Sequence, residues 1–140
     1  MDKAEILIDH RESRSRIGDF LRGLGAEVKL AQLPVGDFLL SERACVERKT
    51  RGDFEQSIID GRLFSQAQQL KAQFEKPILV IEGARFEERV SRAAVLGAIA
   101  SLMLDFGISI FFTVDAQKTA EFLFAVAKRE QLSEKRPLRL

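Results

Sequence analysis

Apolar and polar positions follow two rhythms along this chain. Ile6-Leu7-Ile8 is a short unbroken apolar run that ends in a polar cluster, Asp9-His10-Arg11-Glu12. That pattern predicts a buried strand delivering charged side chains to one edge of a sheet. Ile17, Phe20, Leu21 and Leu24 then keep the spacing of an amphipathic helix, with Ser13 or Ser15 as its N-cap and Gly25 as its C-terminal cap. Val28 and Leu30 alternate with Glu27 and Lys29, which predicts a half-buried strand over 26–30 before Pro34 and Gly36 punctuate the chain.

Phe38-Leu39-Leu40 and the segment from Ala44 to Lys49 read as a hairpin closed by Ser41-Glu42-Arg43. Thr50 is placed to cap a helix with Phe54 and Ile58 inward, and after Gly61 a second helix carries Leu63, Ala67, Leu70 and Phe74 on one face. Pro77 to Ile81 predicts a central strand, 93–104 a helix, 108–112 a strand and 116–131 a final helix. Strands interleaved with helices in this order predict an α/β sandwich built on a mixed sheet.

The stretch from Ala93 to Phe112 has the length of a membrane span, but Asp105-Phe106-Gly107 breaks it. An Asp near the centre of a span costs roughly 2.5–3.5 kcal/mol, so helix, turn and strand is the better reading and no membrane association is expected. The first residues put acids where a secretion signal needs bases, so an intracellular protein is expected: cytoplasmic if archaeal, nuclear if eukaryotic. The single cysteine, Cys45, allows no internal disulfide framework, and with the lone His10 it leaves no Cys/His zinc set.

With 140 residues, 46% hydrophobic and 31% charged, the chain fits one globular domain. A net charge of +1 excludes a polycation that coats phosphates indiscriminately. That average hides a split: acids outnumber bases over residues 1–60, and bases outnumber acids after them. The acidic half is where a cation would belong.

Spacing locates the place. Glu47 and Lys49 share one face of a strand while Arg48 points to the other. If Ser41 to Arg43 is the loop, Leu40 faces Ala44 and Asp37 faces Glu47, with Cβ atoms roughly 4.5–5.5 Å apart. Asp37, Glu47 and Lys49 would then form one patch, with Asp9 and Glu12 at the end of the first strand able to add carboxylates. Two convergent carboxylates suit a hard divalent cation such as Mg2+ or Mn2+, which would neutralise a scissile phosphate and acidify a bound water. A lysine beside them would orient that water and stabilise developing charge.

Each residue also has a plainer structural role open to it. Glu-x-Lys is a short pattern that exposed strands produce by chance. Asp37 after Gly36 fits a turn, Asp53 three residues after Thr50 fits a capping box, Asp9 fits a strand-end cap, and His10 fits a surface position. Gly23-Leu24-Gly25 follows a helix instead of a strand, so it is no dinucleotide fingerprint.

Taken together, Gly36-Asp37, Glu47-Arg48-Lys49 and Asp53 resemble the motif of the XPF nuclease family, which includes the archaeal Hef nuclease domain. Asp9-His10-Arg11-Glu12, Asp60-Gly61-Arg62-Leu63-Phe64 with Gln66, and Ile81-Glu82-Gly83 extend the resemblance over residues 5–131. His10 stands where a small residue is usual, and Phe38 where tyrosine is common; neither change removes a metal ligand.

The resemblance implies a restriction-endonuclease-like three-layer sandwich, a mixed central sheet flanked by helices, that cuts branched DNA such as flaps and forks during repair or fork processing. It maps the metal acids to Asp37 and Glu47, with Asp9 as a third ligand and Glu12 close by, and the catalytic lysine to Lys49. Arg48, Asp53, Arg11, Arg62 and Gln66 map to positions that shape the site or meet DNA. A nuclease domain over 1–132 is expected, with 133–140 a basic tail opening a linker to helix-hairpin-helix motifs of the kind that usually follow in this family. The helices at 93–104 and 116–131 are apolar nearly all round, and the family dimerises through this region, so a homodimer is expected. The competing reading is a non-catalytic DNA-binding scaffold subunit of a nuclease dimer; such a subunit would be expected to lose the acids or the lysine, which are all present here.

Overall fold

The computed structural model describes residues 3–134 and 136–139. Six strands, β1 (Glu5–Asp9), β2 (Glu27–Ala31), β3 (Phe38–Leu39), β4 (Ala44–Thr50), β5 (Lys76–Glu82) and β6 (Ser109–Thr113), form one sheet in the order β2-β1-β3-β4-β5-β6. β1 runs parallel to β2 and antiparallel to β3; β3 is antiparallel to β4; β4, β5 and β6 are parallel. The sheet is therefore mixed, and β5 lies inside it between β4 and β6.

Five helices cover the two faces: α1 (Ile17–Leu24), α2 (Arg51–Ile59), α3 (Leu63–Gln73), α4 (Arg92–Leu104) and α5 (Ala116–Lys128). α1 and α5 pack on one face, where Ile6, Ile8, Phe38, Val46 and Val80 meet Ile17, Leu21, Leu123 and Ala127. α2, α3 and α4 pack on the other, where Leu39, Cys45, Leu79 and Ile81 meet Phe54, Leu63, Leu70 and Leu102. Alternation along each strand feeds both cores at once, giving the three-layer sandwich expected from the sequence. Among the described residues no helix is long and apolar enough to cross a membrane.

The hairpin takes the expected register, with Phe38 opposite Val46 and Leu39 opposite Cys45, which carries Asp37 to the level of Glu47. Gly36 makes this approach possible: its φ is +83°, and a Cβ there would come within 2.4 Å of Cys45 Sγ. Thr50 Oγ1 accepts from Asp53 N at 3.1 Å and starts α2 as predicted, and Gly25 ends α1 in the left-handed region.

Three local expectations change. Neither Ser13 nor Ser15 caps α1, because a 3-10 turn over His10–Glu12 intervenes, and Ser15 Oγ is spent donating to Glu12 O. β2 is an edge strand displaced by one residue, and Leu30 lies half exposed on it. The last α-helix stops at Lys128 and widens into a π turn over Arg129–Ser133. The widening lets Gln131 bond Glu5 N, Glu5 O and Leu40 O, and buries Glu130 against Ser41 and Arg43. The segment beyond returns to the hairpin loop, where Pro137 O accepts from Glu42 N at 2.7 Å.

Candidate active site

β4 presents two different chemistries to its two faces. Glu47 turns towards the α2–α3 layer beside Leu63, Ala67 and Leu79. Lys49 follows it on the same face, with Nζ 3.5 Å from Glu47 Oε2, and both side chains are mostly buried. Arg48 turns the other way, as period two requires, and its Nε donates to Glu82 Oε1 at 2.9 Å while Nη1 reaches Glu12 Oε2 at 3.3 Å.

The Arg48 backbone completes the link to Asp37: its N–H donates to Asp37 Oδ2 at 2.8 Å. Burial pushes the Asp37 carboxyl up to about 7, a rise opposed by that N–H and reinforced by the negative charges of Glu12 and Glu47. Glu12 is also raised, by burial first, with Arg48 pulling against it. A half-buried carboxylate crowded by two others is electrostatically short of a positive charge. The donors are carboxylate oxygens, the kind a hard divalent cation takes, so Asp37 and Glu47 fit such an ion. No group of three or more His, Cys, Asp or Glu side chains suitable for a metal occurs among the described residues, so protein ligation here would be sparse and completed by water and substrate oxygens.

The other sequence-predicted residues fall around this centre in distinct ways. Asp9 is buried, and its carboxylate accepts from Arg11 N, Arg11 Nε and Leu33 N. Burial would raise it, but those bonds outweigh burial and hold it below its ordinary value. Its carboxylate therefore fastens the turn after β1. Arg11, mostly exposed, reaches Gly36 O at 3.3 Å and feels the charges of Asp37 and Glu47. Asp53 lies exposed in the first turn of α2, joined to Thr50 through its backbone N–H. Arg62 pairs with Asp60 at the entrance to α3. Gln66 Oε1 is buried and has no hydrogen-bond partner among the described residues. His10 is exposed, and Phe38 is fully buried in the hairpin.

The sequence reading left out the polar network under β4. Glu82 accepts from Arg48 and from Thr119 Oγ1 at 2.6 Å, and Thr119 shares a hydroxyl contact of 2.7 Å with Thr113. Burial would raise Glu82, but the Arg48 and Thr119 bonds outweigh it and hold the carboxyl down. A signal was present: in parallel pairing Thr50 meets Glu82, and Arg48 lies two residues before Thr50 on the same face. Thr119, a whole helix away, carried none.

A profile of the ERCC4 domain matches residues 8–126. The chain belongs to the ERCC4 domain family. XPF from Aeropyrum pernix has the same fold, with a TM-score of 0.87 at 37% identity over 91% of this chain and 65% of that one. The same protein in complex with DNA gives 0.85 at 38% over 95% and 66%. The 3'-flap repair endonuclease Xpf of Saccharolobus solfataricus is 33% identical over 138 residues, which is 96% of this chain and 59% of that protein. A Methanocaldococcus jannaschii protein bearing the name of an ATP-dependent RNA helicase is 48% identical over 132 residues, 94% of this chain but only 16% of its own length. The chain thus spans a part of each of these relatives. The XPF resemblance read from Gly36-Asp37 and Glu47-Arg48-Lys49 is borne out, as is the restriction-endonuclease-like sandwich.

Proposed function

We propose that this ERCC4 domain is the catalytic unit of a divalent-metal-dependent endonuclease that hydrolyses phosphodiester bonds in branched DNA, at flaps and forks, in repair or fork processing. The observation that carries the reading is the hairpin register that brings Asp37 level with Glu47, with Asp37 Oδ2 held by the Arg48 N–H at 2.8 Å and Lys49 Nζ 3.5 Å from Glu47 Oε2. A bound Mg2+ or Mn2+ would supply charge neutralisation at the phosphate and a more acidic water. Asp37 and Glu47 would hold it. Lys49 would orient the attacking water and meet the charge developing on phosphate oxygen. Arg48 acts as a positioning residue: its N–H fixes Asp37 while its side chain is locked to Glu82 and Glu12. Arg11, Arg62 and Gln66 would meet the DNA, Asp9 and Asp53 shape the turns that carry the site, and Glu12 tunes it. The DNA complex of the Aeropyrum XPF and the flap endonuclease name of the Saccharolobus relative support DNA as the substrate.

The proposed enzyme works as an intracellular homodimer joined through the helices at 93–104 and 116–131. Leu96, Met103 and Leu104 support this, lying 57%, 52% and 83% exposed along α4. The test of the activity uses end-labelled flap, fork and plain duplex DNA with Mg2+, Mn2+ or EDTA, and Asp37→Ala and Lys49→Ala alongside. Cleavage of the branched substrates that requires metal and both side chains is expected. Metal-independent cleavage, or equal cutting by the variants, would sink the site. Binding without any cleavage would favour the scaffold reading.

A further inference from the structure

The C-terminal ends of β5 and β6 carry polar side chains that a packed core does not require. Parallel pairing sets Glu82 beside Thr50 on one side and beside Thr113 on the other, and Thr119 meets them from the start of α5. Glu82, Thr113 and Thr119 are 7%, 4% and 0% exposed. Apolar side chains would fill such a place at less cost, because each buried polar group must find a partner. These three are satisfied by one another and by Arg48.

The protons in this row run one way. Thr119 Oγ1 donates to Glu82 Oε1 at 2.6 Å, since an ionised carboxylate only accepts. The 2.7 Å contact between the two threonine hydroxyls is then donated by Thr113, because the single proton of Thr119 is already committed. Glu82 also receives Arg48, with Nε on Oε1 at 2.9 Å and Nη2 on Oε2. Arg48 reaches Glu12 through Nη1 at 3.3 Å, and its backbone N–H donates to Asp37 Oδ2 at 2.8 Å. One unbroken path therefore joins Thr119 to Glu82, Arg48 and Asp37, and every member of it is buried or half-buried.

The far end of the path is set by how α5 begins. Asp115 caps the helix by accepting Lys118 N at 2.9 Å, and its carbonyl accepts Thr119 N at 3.0 Å, which fixes the Thr119 backbone in the first turns. We propose that Thr119 is a positioning residue for the metal acids: its hydroxyl holds Glu82, and through Glu82 the Arg48 fork and the N–H that aims Asp37. Loss of the hydroxyl takes one of two bonds from Glu82 Oε1 and leaves the Thr113 proton without its acceptor. Arg48 is then gripped by an acid that is itself less fixed, and Glu12 shares the disturbance through the same guanidinium. The effect on metal rests on the nuclease reading above; the effect on the Arg48–Asp37 bond does not.

The test compares four variants of the 140-residue chain. Thr119→Val keeps the shape without the hydroxyl, Thr119→Ser keeps the hydroxyl, Thr113→Val spares the Thr119–Glu82 bond, and Leu123→Val is a core change one turn further along α5. Hydrogen exchange at the Arg48 amide is followed by NMR in EDTA, and urea unfolding supplies the global stability of each variant. Thr119→Val is expected to speed that exchange by about tenfold beyond what its lost stability accounts for, because a hydrogen bond to a charged group is removed. Thr119→Ser is expected to stay within about twofold of the parent, and Thr113→Val and Leu123→Val to exchange as their stability dictates. Mn2+ titration followed by electron paramagnetic resonance is expected to show about tenfold weaker binding in Thr119→Val, restored in Thr119→Ser. Arg48 exchange in Thr119→Val that merely tracks stability, as in Leu123→Val, would overturn the proposal. Equal loosening by Thr113→Val would do so too, by assigning the effect to packing at the strand ends. If Arg48 loosens as expected but Mn2+ binding in the parent is indifferent to Asp37→Asn, the metal reading fails and the Thr119 path stands. If the parent binds Mn2+ through Asp37 and Thr119→Val binds it as tightly, the positioning role alone fails.

Discussion

Arg48 and Glu82 form a two-pronged ion pair across β4 and β5, with Nε on Oε1 at 2.9 Å and Nη2 on Oε2. The pair is mostly shielded from water, at 18% and 9% side-chain exposure. It lies on the sheet face opposite Lys49 and reaches the candidate site through the strand and through Glu12, which Arg48 Nη1 holds at 3.3 Å. Removing one partner leaves a buried charge uncompensated, which typically costs about 3–5 kcal/mol. Arg48→Ala and Glu82→Ala should each lose stability of that order in urea unfolding. The double variant should lose less than the sum, because neither charge is then stranded. Additive losses would show that the two groups do not depend on each other.

Asp37 should make the free protein less stable as pH rises. Its folded value, about 7, lies above the ordinary 3.8, so between those values the folded chain holds a proton that the unfolded chain has released. Stability then falls as pH rises through that window. Asp37→Asn removes the titration and can still accept the Arg48 N–H. The variant should therefore be more stable than the parent at pH 8, with the gap closing towards pH 4. Saturating Mg2+ should raise the melting temperature of the parent, by about 1–3 kcal/mol of stabilisation at large excess over Kd, and this rise should vanish in Asp37→Asn. A metal-induced rise that survives the substitution would place the ion elsewhere.

Asp37 and Glu47 were legible from the sequence because a three-residue loop fixes hairpin register, and period two then sorts Glu47 and Lys49 from Arg48. Gly25 and Thr50 announced helix ends for equally local reasons. What stayed hidden depends on distant partners. Ser15 failed as a cap because Asp9 had already capped a turn of its own. Glu82 and Thr119 meet only when β5 and α5 pack, and Glu130 finds Ser41 across 89 residues of chain. The Phe86 and Phe112 rings under Arg51 come from a loop and an edge strand, neither of which carries a motif.

Glu130 fastens the end of the chain to the β3–β4 loop, and acid should release it. Its carboxylate accepts from Arg43, Ser41 and Arg136, and the Arg43 bond leads in holding the group down to about 2. A depressed folded value contributes stability above the unfolded value near 4.5, which is lost as pH falls towards 2. Glu130→Gln should therefore be less stable than the parent at pH 7, and the difference should shrink progressively below pH 4.5. Urea unfolding at several pH values measures this. A gap that persists at pH 2 would assign the loss to packing instead of charge.

Leu104, 83% exposed at the end of α4, stands beside Met103 and on the same helix as Leu96. Buried Val95, Ala98 and Leu102 already fill the inward face of α4, and the outward leucines are not among the buried core residues. If a second copy covers them, a charge there costs dimer affinity without costing fold. Leu96→Glu and Leu104→Glu should each raise the dissociation constant by at least tenfold, since fully burying one leucine contributes about 1.5–3 kcal/mol and an unpaired buried carboxylate costs more. Their urea midpoints, taken where the parent is monomeric, should stay within about 0.5 kcal/mol of the parent. Sedimentation over a micromolar range reads the first quantity and unfolding the second. A parent chain that sediments as a sharp monomer throughout would end the dimer proposal, whereas variants that unfold more easily as monomers would return the leucines to the core.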